Sequence, residues 1–446
     1  MRVVVVGGGI AGLAAALRLR DELGDAARIT VVDQAARLGG KLRTEAFDGE
    51  YAEAGAESFV VTDPAAVHLA GRVGLGDALR HPVTGQAALA IGGDLVPIPP
   101  GTVMGVPADL AAVADVAAPV PGADPDAGHP LLKPEEDVAV GALVRARLGE
   151  AVLDRLVDPL LGGVYAGRGD DLSLATTIPA LAATCRTEST LTGAARAALA
   201  QRSTGPGPAF ATIDGGVSRL VDAVAAAGGA EVRLGAPVRS LERSHGNWRV
   251  AGLDADAVVL AVPARPAARL LAGVAPAAAA EIGVLDYASV ALLTFAVRGA
   301  RLPELSGFLV PASEGYAVKA LTIFTTKWDH LARPDGVAVL RASVGRYGET
   351  AVLQRTDQDL AGLVHAELGR LLGGPLPVAE RVRVTRWGGA LPQYAPGHLD
   401  RIARARSALA DVRGLALAGA AYDGVGIPAC IRSGWAAAER LLGSDT

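Results

Sequence analysis

The chain of 446 residues is short of several residue types, and each shortage removes a class of function. Its two cysteines, Cys185 and Cys430, stand far apart and in no metal-ligand spacing. A disulfide scaffold and a zinc module are therefore excluded, and a reducing, cytoplasmic setting fits. Seven scattered histidines form no H-E-x-x-H or comparable array, so no metal site is expected. Lysine occurs only at Lys41, Lys133, Lys319 and Lys327, and the remaining cations are arginines. With a net charge of −5 and no basic cluster, a nucleic-acid partner is not expected. No apolar run reaches the ~18–20 residues that cross a bilayer, so no transmembrane segment is expected, while peripheral contact with a membrane stays open. The chain begins directly in an apolar strand, so no cleaved leader is expected.

Glycine, by contrast, is abundant, and its placement carries the first specific information. An apolar strand ending at Val6 runs into Gly7, Gly8, Gly9, Ile10, Ala11 and Gly12, which satisfies G-x-G-x-x-G. The Ala- and Leu-rich stretch Leu13–Leu23 predicts a helix. Ile29–Val32 predicts a second strand, ending at Asp33, 21 residues after the last glycine. Gly7 permits the tight turn, Gly9 lets the backbone approach a pyrophosphate, and Gly12 allows close helix–strand packing. The helix N-terminus then offers N–H groups and a positive dipole end to the phosphates. Asp33, with Gln34 beside it, suits ribose hydroxyls and argues against a 2′-phosphate, hence against NADP. The unit reads as a Rossmann-type dinucleotide site.

The length suggests two or three intertwined domains. A strand pair is expected over Leu89–Pro97, turning at Gly92-Gly93-Asp94. A Pro/Gly/Ala/Asp-rich insertion follows, with a mobile loop expected at 121–130. Helical patterning covers Glu135–Leu161 and Leu191–Gln201, and a Gly/Pro loop, Ser203–Pro208, closes that region. A helix is expected from Asp214 to Ala227, and strands at Glu231–Leu234, Val238–Leu241, Trp248–Val250 and Val258–Val262. Strand-like patterning then dominates Tyr287–Arg346, including Val290–Val297, Gly307–Val310, Thr322–Thr325 and Val337–Ser343. A helix (Asp357–Leu372) and strands at Val382–Trp387 and Leu415–Ala418 precede a final turn at Gly419–Pro428 and its helix.

Several stretches make the reading more specific. Arg37-Leu-Gly-Gly-Lys41, Glu53-Ala-Gly-Ala-Glu-Ser58, Pro159-Leu-Leu-Gly-Gly-Val-Tyr-Ala-Gly167, Arg386-Trp-Gly-Gly-Ala-Leu-Pro-Gln-Tyr-Ala-Pro-Gly-His398 and Gly419-Ala-Ala-Tyr-Asp-Gly-Val-Gly-Ile-Pro428 occur in order. Together they resemble the FAD-dependent protoporphyrinogen/coproporphyrinogen oxidase family of the flavin amine oxidase superfamily, above all the soluble coproporphyrinogen III oxidases of Gram-positive bacteria. The resemblance runs from Met1 to about Leu442. It implies an α/β and α+β architecture in which a Rossmann-type FAD-binding domain (1–58, 209–285 and 386–446) is interleaved with a β-sheet substrate domain (59–98 and 286–385) and a helical domain (99–208). It implies FAD as cofactor. The implied flavin contacts are Gly7 to Gly12, Asp33, Gln34, Lys41, Gly55, Ala56, Glu57, Ser58, Val238, Trp387, Val425, Gly426 and Ile427. Asp423 is read either as a cofactor contact or as the cap of the final helix.

The activity so implied is the O₂-dependent, six-electron oxidation of coproporphyrinogen III to coproporphyrin III with peroxide release, in heme biosynthesis. A coproporphyrin ferrochelatase is the pathway neighbour that the resemblance suggests. Val164 and Tyr165 are expected to line the pocket. Arg168 and Lys327, with Arg186, Arg341 and Arg346 as further candidates, are expected to meet propionates. A phenol is a poor base at neutral pH, so no catalytic acid or base is assigned. Some relatives carry a basic run after the E-S-F segment, whereas this chain has Val60-Val-Thr-Asp63. Three alternatives stay open: a protoporphyrinogen IX oxidase, a flavin amine oxidase, and a non-catalytic porphyrin-binding flavoprotein. The place of the amine oxidases' aromatic in the final turn is held here by Gly426.

Overall fold

Four consecutive valines leave the first strand no polar face, so it must be covered on both sides. In the computed structural model, which describes residues 1–201, 207–244 and 246–443, that strand is the centre of a parallel sheet. Residues 203–206 of the expected Gly/Pro loop lie outside the described residues. The chain divides into two compact units. The first comprises Met1–His81, Pro208–Leu285 and Leu399–Thr446, and the second Pro82–Gly207 and Asp286–His398.

Eight elements organise the first unit: β1 (Arg2–Val6), α1 (Ile10–Leu23), β2 (Arg28–Val32), α2 (Ser218–Gly228), β3 (Glu231–Arg233), β4 (Ala257–Leu260), β5 (Leu415–Leu417) and α3 (Ile427–Gly443). The strands lie in the order β3-β2-β1-β4-β5 and all neighbours are parallel. The sequence reverses direction across the sheet at β1, between β2 and β4, and ligands of open α/β sheets bind at such a point. α1 is buried from Ile10 to Leu17, with Leu19, and packs against both α2 and α3. The approach to α3 is close enough that a Cβ on Gly434 would stand 2.2 Å from the Ala11 carbonyl oxygen.

The second unit holds a seven-stranded mixed sheet. Its order is Arg381–Pro392, Tyr287–Arg298, Val337–Val344, Val318–Ile323, Gly307–Leu309, Ala87–Ile91 and Asp94–Pro97. The hairpin at Gly92-Gly93 forms as expected, both glycines taking positive φ (61° and 92°). Pairing of Gly307–Leu309 with Ala87–Ile91 joins strands from either side of the helical insertion. Helix Asp357–Leu371 supplies Leu360, Val364 and Leu368 to the core over one sheet face.

Some boundaries differ from the sequence reading. The helical stretch expected from Glu135 begins only at Val140, because Asp137 is drawn into bonds with Ser173 Oγ and the Ala175 and Gly397 amides. Val238 lies in an irregular segment, and the strand there starts at Leu241. The strand expected over Thr322–Thr325 ends at Ile323, and Phe324–Lys327 is one helical turn. A domain boundary between residues 385 and 386 would cut the continuous strand Arg381–Pro392, which is paired with Tyr287–Arg298 from Arg381 to Pro392. Within 121–130, Asp124 is buried and accepts bonds from the Leu191 and Thr192 amides while pairing with Arg147.

Candidate functional site

Every part of the glycine cradle in the first unit has a local cause. β1 ends as Gly7 turns at φ 110°, where a Cβ would collide with the Ala261 carbonyl at 2.3 Å. The Gly8 amide donates to Asp33 Oδ2 at 2.7 Å, and the Ala35 amide donates to Oδ1 at 2.8 Å. Asp33 thus locks the turn through one lone pair on each oxygen, leaving others for ribose hydroxyls. Gly12 sits so close beneath the turn that a Cβ would lie 2.0 Å from the Gly7 carbonyl oxygen. Gly9 precedes α1, which has no side-chain cap and no acid in its first turn. Its amides therefore need an external acceptor. A Cβ on Gly9 would meet nothing within 4 Å, so this end of the helix opens onto free space. Open space before uncapped N–H groups fits the pyrophosphate of FAD.

The other expected cofactor residues of this unit gather around the cradle. The Gly39 amide donates to the Gly8 carbonyl at 2.8 Å, so the Gly39-Gly40 pair approaches the glycine turn itself. Arg37 shapes that loop by donating to the carbonyls of Leu38, Gly40 and Leu42. The Ala56 amide bonds the Lys41 carbonyl at 3.1 Å, which ties the 55–58 segment to the same loop. Glu57 is buried, its carbonyl accepting from Thr212 Oγ1, whereas Gly55 and Ser58 are half-buried and Ala56 is exposed. The Lys41 side chain is accessible, yet protein crowds its ammonium. Desolvation lowers its pKa, against a smaller raising effect of Cys430. Burial pushes the Cys430 thiol up to about 11. Gln34 is exposed next to Asp33. Half-buried Val238 follows a segment whose Gly235 and Ala236 amides bond the Ala35 and Asp33 carbonyls, which ties that segment to the end of β2.

The final turn places Val425 half-buried, Gly426 exposed at φ 103°, and Ile427 buried at the start of α3. Asp423 is not the cap of that helix. Its carboxylate pairs with Arg406 and accepts from Ser433 Oγ, which in turn accepts the Gly419 amide at 2.8 Å. The sequence reading missed Ser433 and Arg406 because neither lies in the motif they support. Asp63 likewise pairs with Arg432.

In the second unit the stretch 159–167 ends the helix Asp158–Tyr165. Tyr165 is buried, and its hydroxyl donates to the Thr177 carbonyl at 3.3 Å. Burial pushes its phenol up to about 12. Its ring meets Tyr394 edge-on, 5.8 Å between centroids. The hydroxyl is thus engaged within the fold, and the exposed apolar residue of this stretch is Val164. Trp387, expected among the flavin contacts, belongs to this unit, where with Tyr347 and Leu391 it packs against Ala166, Ala288, Val290 and Ala390. Continuity of its strand puts it there.

The basic candidates separate clearly. Arg168 is exposed and paired with Glu349. The Lys327 ammonium lies 5.0 Å from the Trp328 ring centroid, and the Arg341 guanidinium lies 5.0 Å from that of Phe324. Arg186 donates to the Glu136 carbonyl. Arg346 is buried, with its guanidinium on the Tyr316 and Val310 carbonyls, so it holds backbone and is not available to a propionate.

Comparison with known proteins adds to this geometry. The family described as flavin containing amine oxidoreductase matches residues 10–442. A coproporphyrinogen III oxidase of Mycobacterium tuberculosis is 39% identical over 440 residues, covering 96% of this chain and 94% of the relative. One of Bacillus subtilis is 32% identical over 469 residues, covering 99% and 97%. The solved structure of a candidate protoporphyrinogen oxidase from Exiguobacterium superposes with a TM-score of 0.84 at 34% identity, covering 98% of both chains.

Proposed function

The chain belongs to the flavin containing amine oxidoreductase family, and from that premise we propose that it oxidises coproporphyrinogen III to coproporphyrin III with O₂ as acceptor. The observation that carries this reading is near-full-length similarity to coproporphyrinogen III oxidases of two separate bacterial genera. FAD is the cofactor. Bound in the glycine cradle, it would supply two-electron oxidation of the substrate, three times per porphyrin, with O₂ as acceptor and H₂O₂ as the reduced product. The product is a metal-free porphyrin, for which a ferrochelatase is the natural consumer. No helix among the described residues is long and apolar enough to cross a membrane, and we place the activity in the cytoplasm.

The residues take the following roles in this reading. The N-terminus of α1 with Gly7 to Gly12 holds the pyrophosphate, Asp33 and Gln34 the ribose, and Val238 the adenine side. Lys41, residues 55–58 and Val425 to Ile427 are further flavin contacts. Val164 gives the substrate an apolar face, with Tyr165 bracing it from behind. Arg168 and Lys327 meet propionates, each charge-assisted bond contributing about 1.5–3 kcal/mol. With its phenol held at about 12, Tyr165 is no base, so pyrrole protons leave to water. The test is aerobic turnover by FAD-loaded protein of coproporphyrinogen III, protoporphyrinogen IX and a primary amine. Porphyrin fluorescence and peroxide would be read together, with spontaneous oxidation subtracted. Preference for the four-propionate substrate supports the reading, and turnover of the amine alone sinks it.

A further inference from the structure

The helix Asp158–Tyr165 ends in a left-handed residue, Ala166, at φ 51°. Its last carbonyls meet donors from three other segments of the second unit. The Gly162 carbonyl accepts the Ala166 amide at 3.0 Å and the Lys319 ammonium at 3.1 Å. The Tyr165 carbonyl accepts Gln393 Nε2 at 2.9 Å, and the Ala166 carbonyl accepts the Tyr347 amide at 2.7 Å. Between these anchors stands Val164, 44% exposed.

Lys319 is the unusual member. It is 6% exposed, in the strand Val318–Ile323, at the point where the register of that strand shifts between Val318 and Ala320. The charges that act on it are cationic, Arg346 and Arg341. The acids nearby are engaged elsewhere. Glu367 accepts the Ala317 and Val318 amides, and Asp158, at the other end of the helix, accepts the Gly169 amide. Glu349 pairs with Arg168 and faces Arg346. A buried ammonium among cations is unfavourable unless something negative faces it. The negative end of a helix, where the Gly162 carbonyl accepts both the Ala166 amide and this ammonium, is what Lys319 finds.

We propose that Lys319 is a positioning residue for the substrate face, its ammonium capping the helix Asp158–Tyr165 and so fixing the turn from which Val164 projects. This rests on the reading of Val164 as substrate-lining. The Lys319 pKa is lowered to about 7, by burial first and then by Arg346 and Arg341. The cap is therefore cationic below about pH 7 and neutral above it. Because the unfolded lysine holds its proton to higher pH, the native chain gains stability as pH rises between those two values.

The test uses the full FAD-loaded chain and its Lys319→Met variant, in which the side chain keeps its length and loses its donors. The first readout is amide hydrogen exchange at Ala166, whose N–H shares the Gly162 carbonyl, corrected for the intrinsic base-catalysed rate. In the wild type, protection is expected to fall as pH rises through about 7, and in Lys319→Met to be low on both sides. The second is turnover of coproporphyrinogen III. The variant is expected to lose about tenfold in kcat/KM through KM, with FAD content unchanged. Equal Ala166 protection in both chains, or wild-type protection that does not change across about pH 7, overturns the proposal, and the wild-type series needs no variant to fold. If no porphyrinogen is turned over while Ala166 shows the expected pH dependence, the cap stands and the substrate reading falls.

Discussion

Gly434→Ala tests the packing that aims the cofactor cradle. Gly434 lies inside α3, and a Cβ there would stand 2.2 Å from the Ala11 carbonyl oxygen and 3.0 Å from the Ala15 nitrogen. Ordinary contact begins near 3.5 Å, so α1 and α3 must part by about 1.3 Å. Both obstructing atoms are helix backbone and cannot swing aside. Overpacking of this kind costs about 1–3 kcal/mol, and the gain in helix propensity of Ala over Gly offsets about 0.8–1 kcal/mol of it. The net expectation is a loss of about 0–2 kcal/mol, up to a few degrees in Tm. Ala11 is in the first turn of α1, so FAD affinity should fall with stability. Gly71→Ala is the control in the same unit. It too is helical, but its Cβ would meet nothing within 4 Å, so it should be neutral or stabilising by up to about 1 kcal/mol. Thermal melts of both apo-proteins and FAD titrations give the answer. If the two substitutions have the same effect, the close α1–α3 contact is not what holds the cradle.

Further expectations follow from the same geometry. Gly9 has an ordinary backbone conformation (φ −73°) and free space at its Cβ. Gly9→Val should therefore leave apo stability within about 0.5 kcal/mol and weaken FAD at least about tenfold, measured by titration. Asp158 has its carboxyl raised to about 6 by burial, against the Gly169 hydrogen bond. The native chain then holds that proton more tightly than the unfolded one, and stability falls as pH rises from 3.8 to about 6. Asp158→Asn should be more stable than wild type at neutral pH by about 1–2 kcal/mol, an advantage that disappears in acid, as denaturant midpoints at the two pH values would show. Ser433→Ala leaves the Gly419 amide and the Asp423 carboxylate without their shared hydroxyl. It should cost about 1–2 kcal/mol and reduce FAD retention on gel filtration.

The parts legible in the sequence were those whose causes are local. The valine run, the glycine turn and Asp33 specify β1, α1 and β2 within one short stretch, and the structure closes the turn through Asp33 and Gly8. Strands flanked by glycine turns, such as Ala87–Ile91 and Asp94–Pro97, were equally plain. What escaped depends on partners distant in the chain. Asp423 looks like a helix cap until Arg406 and Ser433 are brought to it. The unit to which Trp387 belongs is likewise set by pairing with Val290, which the sequence does not show. The sequence also cannot show that the Tyr165 hydroxyl turns to the Thr177 carbonyl. Lys319 escaped as well, because the register of its strand shifts between Val318 and Ala320 and a period of two in the sequence does not show that shift.

The most direct measurement is anaerobic mixing of the FAD-loaded protein with coproporphyrinogen III, protoporphyrinogen IX and a primary amine in separate experiments, following the loss of oxidised-flavin absorbance. Without O₂, spontaneous porphyrinogen oxidation does not contribute, and the flavin itself reports electron transfer. Rapid bleaching by coproporphyrinogen III, slower bleaching by protoporphyrinogen IX and none by the amine is the predicted result. Bleaching by the amine alone, or by none of the three, would contradict it.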